Sequence, residues 1–332
     1  MIHPIPPGTR DVLPDEMREL RRLQRALIEV FEARGYGEVA TPAIEYDEVL
    51  ARGDGRTAAT AYRFFDEGGE LLALRSDMTV PIARLAASRL AGAEQPLRLC
   101  YLASAYRAVR PQRGQMREFT QAGVELIGVP APAGTAEVIE VLEAALDAAG
   151  LDRAVIGLGD ADLYRQLLAE YGIEGEARDS IIARLATHDL VGLEEELAAV
   201  EGIAEEQVAT CVALSQLRGG SEVLEQARGL GGAAVERASA RLQATFEELE
   251  RRDVAGRVRI DLGLLRDLGY YSGAILEVYD PALGHVLGGG GRYDGLLKRF
   301  GADLPAAGFA LYLERVHVAQ MEEESRRGGE GR

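Results

Sequence analysis

The stretch Leu97-Arg98-Leu99-Cys100-Tyr101-Leu102-Ala103-Ser104-Ala105-Tyr106-Arg107 and, after a polar loop, Met116-Arg117-Glu118-Phe119-Thr120-Gln121-Ala122-Gly123-Val124-Glu125-Leu126-Ile127 decides the fold class. Both runs have strand composition. The loop Arg110-Pro111-Gln112-Arg113-Gly114-Gln115 between them holds the proline, glycine and polar residues of a chain reversal. A long antiparallel hairpin is predicted. Gln121 and Glu125 are an even number of residues apart, so a regular strand turns both to one face, together with Arg117 and Gly123.

Outward from this hairpin the pattern is that of an antiparallel sheet flanked by helices. Upstream, Met17, Leu20, Leu23, Leu27 and Val30 form a helical stripe across Pro14 to Arg34, and Gly35 follows where a left-handed C-cap is favoured. Tyr62 to Phe65 and Leu71 to Leu74 flank the turn Asp66-Glu67-Gly68-Gly69 as a second hairpin, and Arg75-Ser76-Asp77-Met78-Thr79 leads from it into a helix near Val80. Downstream, Gly134 to Ala149 reads as a helix and Ala154 to Gly159 as a short strand. From Asp160 to Gly256 no strand signal survives. Leu163, Leu167 and Tyr171 share a helical face, as do Val235, Ala238, Leu242 and Leu249, so an all-helical inserted module is expected. Alternation then resumes at Val258, Ile260 and Leu262 and at Ala274, Leu276 and Val278, continuing the sheet. The expected organisation is an α+β core over 1–159 and 257–320, a helical insertion over 160–256, and a disordered, charged, glycine-rich tail over 321–332.

Composition narrows the function classes. The 332 residues are 47% hydrophobic and 27% charged, which suits a folded soluble chain of about two domains. The formal charge is −17, and Lys298 is the only lysine. Such a surface repels phosphate backbones in bulk, and no local basic patch opposes it, so nucleic acid is not an expected partner. Neither a signal peptide nor a run of about 18 apolar residues is present, so no membrane association is expected and the chain is read as cytoplasmic. Cys100 and Cys211 lie far apart in apolar surroundings and read as two buried reduced thiols.

No phosphate-binding loop, zinc helix or serine nucleophile elbow occurs, and the four histidines sit in unrelated contexts, so neither a metal nor a cofactor is expected. The run Gly288 to Gly291 offers backbone amides to a phosphate, but glycine runs serve more often as tight turns or close strand contacts. The stronger signal is a set of polar residues at strand ends and turns: Asp77, Thr79, Arg107, Gln121, Glu125, Arg266, Tyr270 and Tyr271. Two carboxylates, two arginines and two tyrosines suit a free amino acid, whose ammonium, carboxylate and side chain they would take in turn. The competing interpretation is a scatter of surface ion pairs, and composition alone favours it.

The same residues carry a resemblance. Pro7-Gly8-Thr9-Arg10-Asp11, Arg75 to Thr79, Tyr106-Arg107, Arg117-Glu118-Phe119 with Gln121, Tyr270-Tyr271-Ser272-Gly273, Gly289 to Gly295 and Leu313-Glu314-Arg315 occur in the order found in histidyl-tRNA synthetase, and the chain resembles that class II aminoacyl-tRNA synthetase family from Pro7 to about Ala319. The resemblance implies a class II catalytic-core-like antiparallel sheet and a histidine-binding role for the eight residues named above.

Departures from the family pattern fall on the nucleotide side. Val109 stands where the synthetases have a glutamate that meets adenine, Tyr312 where they have a glycine before Leu-Glu-Arg, and Gln115 where an arginine meets the ATP phosphates. Losing one hydrogen bond to a charged group costs about 1.5–3 kcal/mol. Asp77 replaces a glutamate, and Asp267 and Gly269 alter the usual Arg-Gly-Leu-Asp-Tyr-Tyr run. The chain stops soon after the third class II motif, where the synthetases continue into an anticodon-gripping domain.

This combination resembles the noncatalytic synthetase-like relatives that regulate short-form ATP phosphoribosyltransferase. It implies a short-form ATP phosphoribosyltransferase catalytic subunit as partner, L-histidine as feedback effector, and a homodimer, paired near Thr41-Pro42, within a larger hetero-oligomer. Two rivals stay open at the level of sequence. One is an active histidine-adenylating enzyme with a non-tRNA acceptor, and the other is an amino acid sensor with a different partner.

Overall fold

The computed structural model describes residues 5–53, 59–109, 116–266, 269–281 and 283–330; the predicted loop at Arg110–Gln115 and the substituted Asp267 lie outside the described residues. Twelve strands occur among the described residues, in chain order β1 (Gly37–Glu38), β2 (Ile44–Tyr46), β3 (Arg63–Phe65), β4 (Leu71–Leu74), β5 (Leu97–Tyr106), β6 (Glu118–Ile127), β7 (Val155–Asp160), β8 (Arg218–Gly219), β9 (Val258–Asp261), β10 (Ala274–Tyr279), β11 (Val286–Arg292) and β12 (Ala306–Tyr312). The main sheet runs β1-β5-β6-β12-β11-β10-β7-β9-β8, and a small sheet runs β2-β4-β3. Among the described residues only β1 with β5 and β7 with β9 pair in parallel; the α+β expectation holds, with mixed edges on an antiparallel centre.

The hairpin that decided the fold class forms in full register, from Leu97 opposite Ile127 to Tyr106 opposite Glu118. Its side chains alternate as a two-layered core requires. Cys100, Ala122, Val124 and Leu126 join a large cluster on one face, while Leu97, Leu99, Tyr101 and Ile127 join a second cluster on the other. The first face is covered by the Pro14–Ala33 helix, which buries Leu20, Leu23 and Leu27 of the predicted stripe, with Phe31 buried where Val30 was expected and Met17 only partly covered. Each such side chain is worth about 1.5–3 kcal/mol. That helix opens on Pro14 with Asp15 and Glu16 in its first turn, and Gly35 beyond its end takes a φ of +81°. The second face carries the small sheet, the Thr79–Arg89 helix and the clustered polar residues.

β11 is where sequence pattern fails. Four consecutive glycines erase any alternation, yet Gly288 to Gly291 lie in the middle of the sheet between β10 and β12. The close-contact interpretation of the glycine run is the correct one: a Cβ on Gly290 would sit 2.0 Å from the Gly308 carbonyl oxygen, and one on Gly289 would sit 1.5 Å from Arg266 Nη1.

Between β7 and β9 the chain is helical from Leu163–Glu170 through Ala233–Arg251, interrupted by the two-residue β8, which pairs with β9. Leu163, Leu167, Val235, Ala238, Leu242 and Leu249 are buried in the same cluster as the sheet's first face.

The C-terminal end corrects the expectation of disorder. A helix runs from Leu313 to Glu330. Glu323, only 3% exposed, accepts hydrogen bonds from the backbone N–H groups of Asp152 and Arg153 at 3.1 and 3.0 Å. Arg327, one turn on, donates to Gly150 O and to Asp152, both at 2.8 Å. Charge-rich composition suggested solvation, but the pair Glu323 and Arg327 points inward at a loop whose polar groups it satisfies.

Candidate functional site

Arg75 fixes one wall of the site. Its guanidinium donates to Ser104 O at 2.8 Å, to Thr41 O at 2.6 Å and to Pro42 O at 3.2 Å, tying the end of β4 to β5 and to the segment before β2. Ser76 and Asp77 follow directly, both buried. Asp77 Oδ1 accepts the Val80 backbone N–H at 3.2 Å, so the shortened acid reaches the first turn of the Thr79–Arg89 helix. Thr79 sits at the start of that helix, and its hydroxyl donates to Glu125 Oε1 at 2.9 Å.

Glu125 is the centre of the arrangement. It is 1% exposed on β6 and shares a face with Gln121 and Gly123. Tyr293 donates its phenol hydrogen to Glu125 Oε2, and Gly308 opposite on β12 leaves room for that oxygen, since a Cβ there would fall 1.9 Å from it. Glu125 forms no ion pair among the described residues. Burial pushes its carboxyl up to about 8, against the pull of the Tyr293 and Thr79 hydroxyls, and the neighbouring Asp77 adds to the rise. Near neutrality the acid is therefore largely protonated, and a cation seated against it would favour its ionised form.

Three tyrosines wall this carboxyl. Tyr270 and Tyr271 rings lie 4.9 Å apart, Tyr293 meets Tyr270 edge-on at 6.0 Å, and Tyr270 also hydrogen-bonds Thr79. Burial raises all three, Tyr271 to about 12, so they are neutral hydroxyls at any working pH. Tyr101 from β5 crosses over Gly123, which has no side chain to obstruct it. Gln121 is buried, and its Oε1 has no hydrogen-bond partner among the described residues. Such an orphan acceptor calls for a donor from a ligand or water.

The opposite end is cationic. Arg107 donates from Nε to Ser76 O at 3.2 Å and packs its guanidinium on the Phe119 ring at 4.8 Å. Arg266 reaches over Gly289 and donates to Leu276 O at 3.2 Å. Tyr312 stands among Arg107, Arg266 and Arg315. Its burial alone would raise the phenol, but the three guanidiniums draw it down to about 8. Arg315 lies over the Tyr312 ring at 4.7 Å, and a cavity of about 250 Å³ beside them is lined by Arg107, Val109, Met116, Phe119, Tyr312, Glu314 and Arg315.

All eight residues singled out from sequence therefore fall in one connected group, and the scatter of surface ion pairs is excluded. Arg117 does not join it; its Nε donates to Val109 O beyond the strand. Sequence reasoning missed Ser76, Tyr101 and Tyr293 as members. Tyr101 was accessible from its odd-numbered place on β5 beside Leu97 and Leu99, and Tyr293 lay within the Gly289–Gly295 segment that carries the resemblance, without being singled out there. Among the described residues no group of three or more His, Cys, Asp or Glu could hold a metal ion, and no helix is long and apolar enough to cross a membrane.

The arrangement matches known proteins over almost its whole length. A family model described as histidyl-tRNA synthetase covers residues 8–316. The ATP phosphoribosyltransferase regulatory subunit of Moorella thermoacetica is 42% identical over 323 residues, 96% of this chain and 82% of that one. That of Symbiobacterium thermophilum is 42% identical over 322 residues, 96% and 80% of the two chains. The chain belongs to the ATP phosphoribosyltransferase regulatory subunit family. The regulatory subunits share the histidyl-tRNA synthetase fold. A solved ATP phosphoribosyltransferase regulatory subunit/histidyl-tRNA synthetase from Bacillus halodurans superposes with a TM-score of 0.86 at 34% identity, over 96% of this chain and 84% of that one. As a member of a family of regulatory subunits, the chain is the regulatory and not the catalytic component.

Proposed function

We propose that this regulatory subunit senses L-histidine for a short-form ATP phosphoribosyltransferase catalytic subunit, which condenses ATP with phosphoribosyl pyrophosphate in the first step of histidine biosynthesis. The observation that carries this reading is Glu125: a buried carboxyl held by two hydroxyls, without an ion-pair partner among the described residues, linked through Tyr271 to the Arg266 guanidinium and through Asp77 to that of Arg107. The ammonium would lie between Glu125 and Asp77, the carboxylate at Arg107 and Arg266, and the imidazole against Tyr270 and Tyr271, with Gln121 Oε1 accepting a ligand donor. Thr79 supports the cluster through Glu125. The adenylating alternative is disfavoured by Tyr312, whose ring fills the space under Arg315.

Histidine regulates only by binding more tightly to a less active arrangement of the complex, because a ligand shifts an equilibrium by its differential affinity for the two states. Catalytic-subunit substrates then weaken histidine binding by the same factor. The test is reconstitution in the cytoplasmic-type soluble system. Phosphoribosyl transfer by a short catalytic subunit should depend on this chain and fall when histidine is added. Transfer indifferent to histidine at saturating concentration would refute the sensing role, and ATP–pyrophosphate exchange with histidine would revive the adenylating alternative.

The small sheet supports a homodimer within the larger assembly. Ile44 and Tyr46 on β2, Leu72 on β4 and Phe64 on β3 form one apolar face, with Ile44 47% and Tyr46 51% exposed, next to a groove of about 530 Å³ lined by Thr41, Pro42 and Leu85. An exposed face of this kind is characteristic of an interaction surface. Tyr46→Glu should convert the dimer to monomer in sedimentation analysis; an unchanged sedimentation coefficient would place the dimer contact elsewhere.

A further inference from the structure

Arg107 is held by contacts that the amino acid reading does not require. Its Nε is committed to Ser76 O, its guanidinium lies on the Phe119 face, and its Cζ is 6.0 Å from the centre of the Tyr312 ring, whose phenol the guanidinium hydrogen-bonds. Tyr312 is itself braced. Its ring meets Phe119 edge-on at 5.5 Å and 75°, Arg315 covers its face at 4.7 Å, and its backbone pairs with Gln121 across β12 and β6. Phe119 and Tyr312 thus form two sides of a slot in which the Arg107 guanidinium is gripped by a ring face and a hydroxyl.

We propose that Tyr312 is a positioning residue for Arg107, setting that guanidinium to receive a ligand α-carboxylate and making the site select free amino acids over their decarboxylated or reduced derivatives. This rests on the histidine-sensing reading. An arginine has five N–H donors in a fixed fork. With Ser76 O and the phenol each taking one, the plane of the fork is set before the ligand arrives, and less side-chain freedom is lost when a carboxylate pairs with the remaining donors. Without the hydroxyl, Phe119 still packs against the guanidinium but no longer fixes its rotation about the ring normal. The charged and titratable groups around the phenol are Arg107, Arg266 and Arg315, with Tyr101 and Tyr271 as its neutral neighbours.

Tyr312→Phe keeps the ring and removes only the hydroxyl. Calorimetric titration of the full chain and of this variant with L-histidine and with L-histidinol, which lacks the carboxylate, separates positioning from packing. The variant should bind histidine about tenfold more weakly, the range of one lost hydrogen bond to a charged group, and histidinol within about twofold of the parent, since no carboxylate engages Arg107 there. Equal losses for both ligands would show a packing role and overturn the inference, as would unchanged or tighter histidine binding. Failure of the parent chain to bind histidine at all would refute the histidine reading and the inference with it, and is seen before the variant is made.

Discussion

Glu125→Gln is expected to weaken histidine binding by at least about 100-fold, because breaking a buried charge pair costs about 3–5 kcal/mol. The amide preserves the shape of the carboxyl and its Thr79 contact, so folding and assembly with a catalytic subunit should persist. The pH dependence has a definite sign. In the folded chain Glu125 is pushed up to about 8, above its ordinary 4.5. A carboxyl raised in this way favours the fold while it is protonated; that contribution is fully present below about 4.5 and is lost as pH rises through about 8. The glutamine variant cannot ionise. Its melting temperature should therefore rise relative to the parent across that interval and the difference should level off above it. A cationic ligand group favours the carboxylate, so histidine binding near neutrality should release a proton from the parent and none from the variant, read as the dependence of the calorimetric heat on buffer ionisation enthalpy. Histidine bound equally well by Glu125→Gln would remove Glu125 from the site.

Gly290→Ala should lower the melting temperature by about 4 °C, as expected for overpacking of about 3 kcal/mol in a chain of 332 residues, whose unfolding entropy is about 0.7 kcal/mol/K. The added methyl would meet Gly308 O at 2.0 Å and Phe309 Cα at 2.7 Å, backbone atoms of a central strand that cannot turn aside as a side chain would. Gly295→Ala, with no atom within 4 Å of the new methyl, is the matched control and should melt within a degree or two of the parent. Equal melting of the two variants would mean that the sheet gives way at β11 and that its close packing is not what requires glycine.

Most of the fold was legible because burial imposes a period. The Pro14–Ala33 helix and the β5–β6 hairpin each have one face in a core, and their apolar residues repeat accordingly. β11 was illegible for the opposite reason: it is buried on both faces by backbone and by the reach of neighbouring side chains, so its own residues carry no pattern. The two-residue strands β1 and β8 are too short to show one. The C-terminal helix was hidden because its buried residues include Glu323, whose burial depends on partners 170 residues away in the chain. The site was legible in composition but not in convergence; Asp77, Glu125 and Tyr271 come from three separate segments, and only the order of the family's motifs brought them together before the structure did. Tyr312 illustrates the converse. A departure from the family pattern marked it, and the structure gave it a place among three arginines.

Strand β11 also constrains how the cleft can be re-engineered. Its base is peptide alone, with Gly289 under Arg266 and Gly291 under Tyr271, so neither position tolerates a larger residue without displacing the group above it. Redesign of ligand preference is thereby confined to the buried side chains around it: Gln121, Tyr270 and Tyr271 are the dials, and the platform beneath them is not adjustable. A biosensor engineered from this scaffold for another amino acid should therefore begin with a library at those three positions.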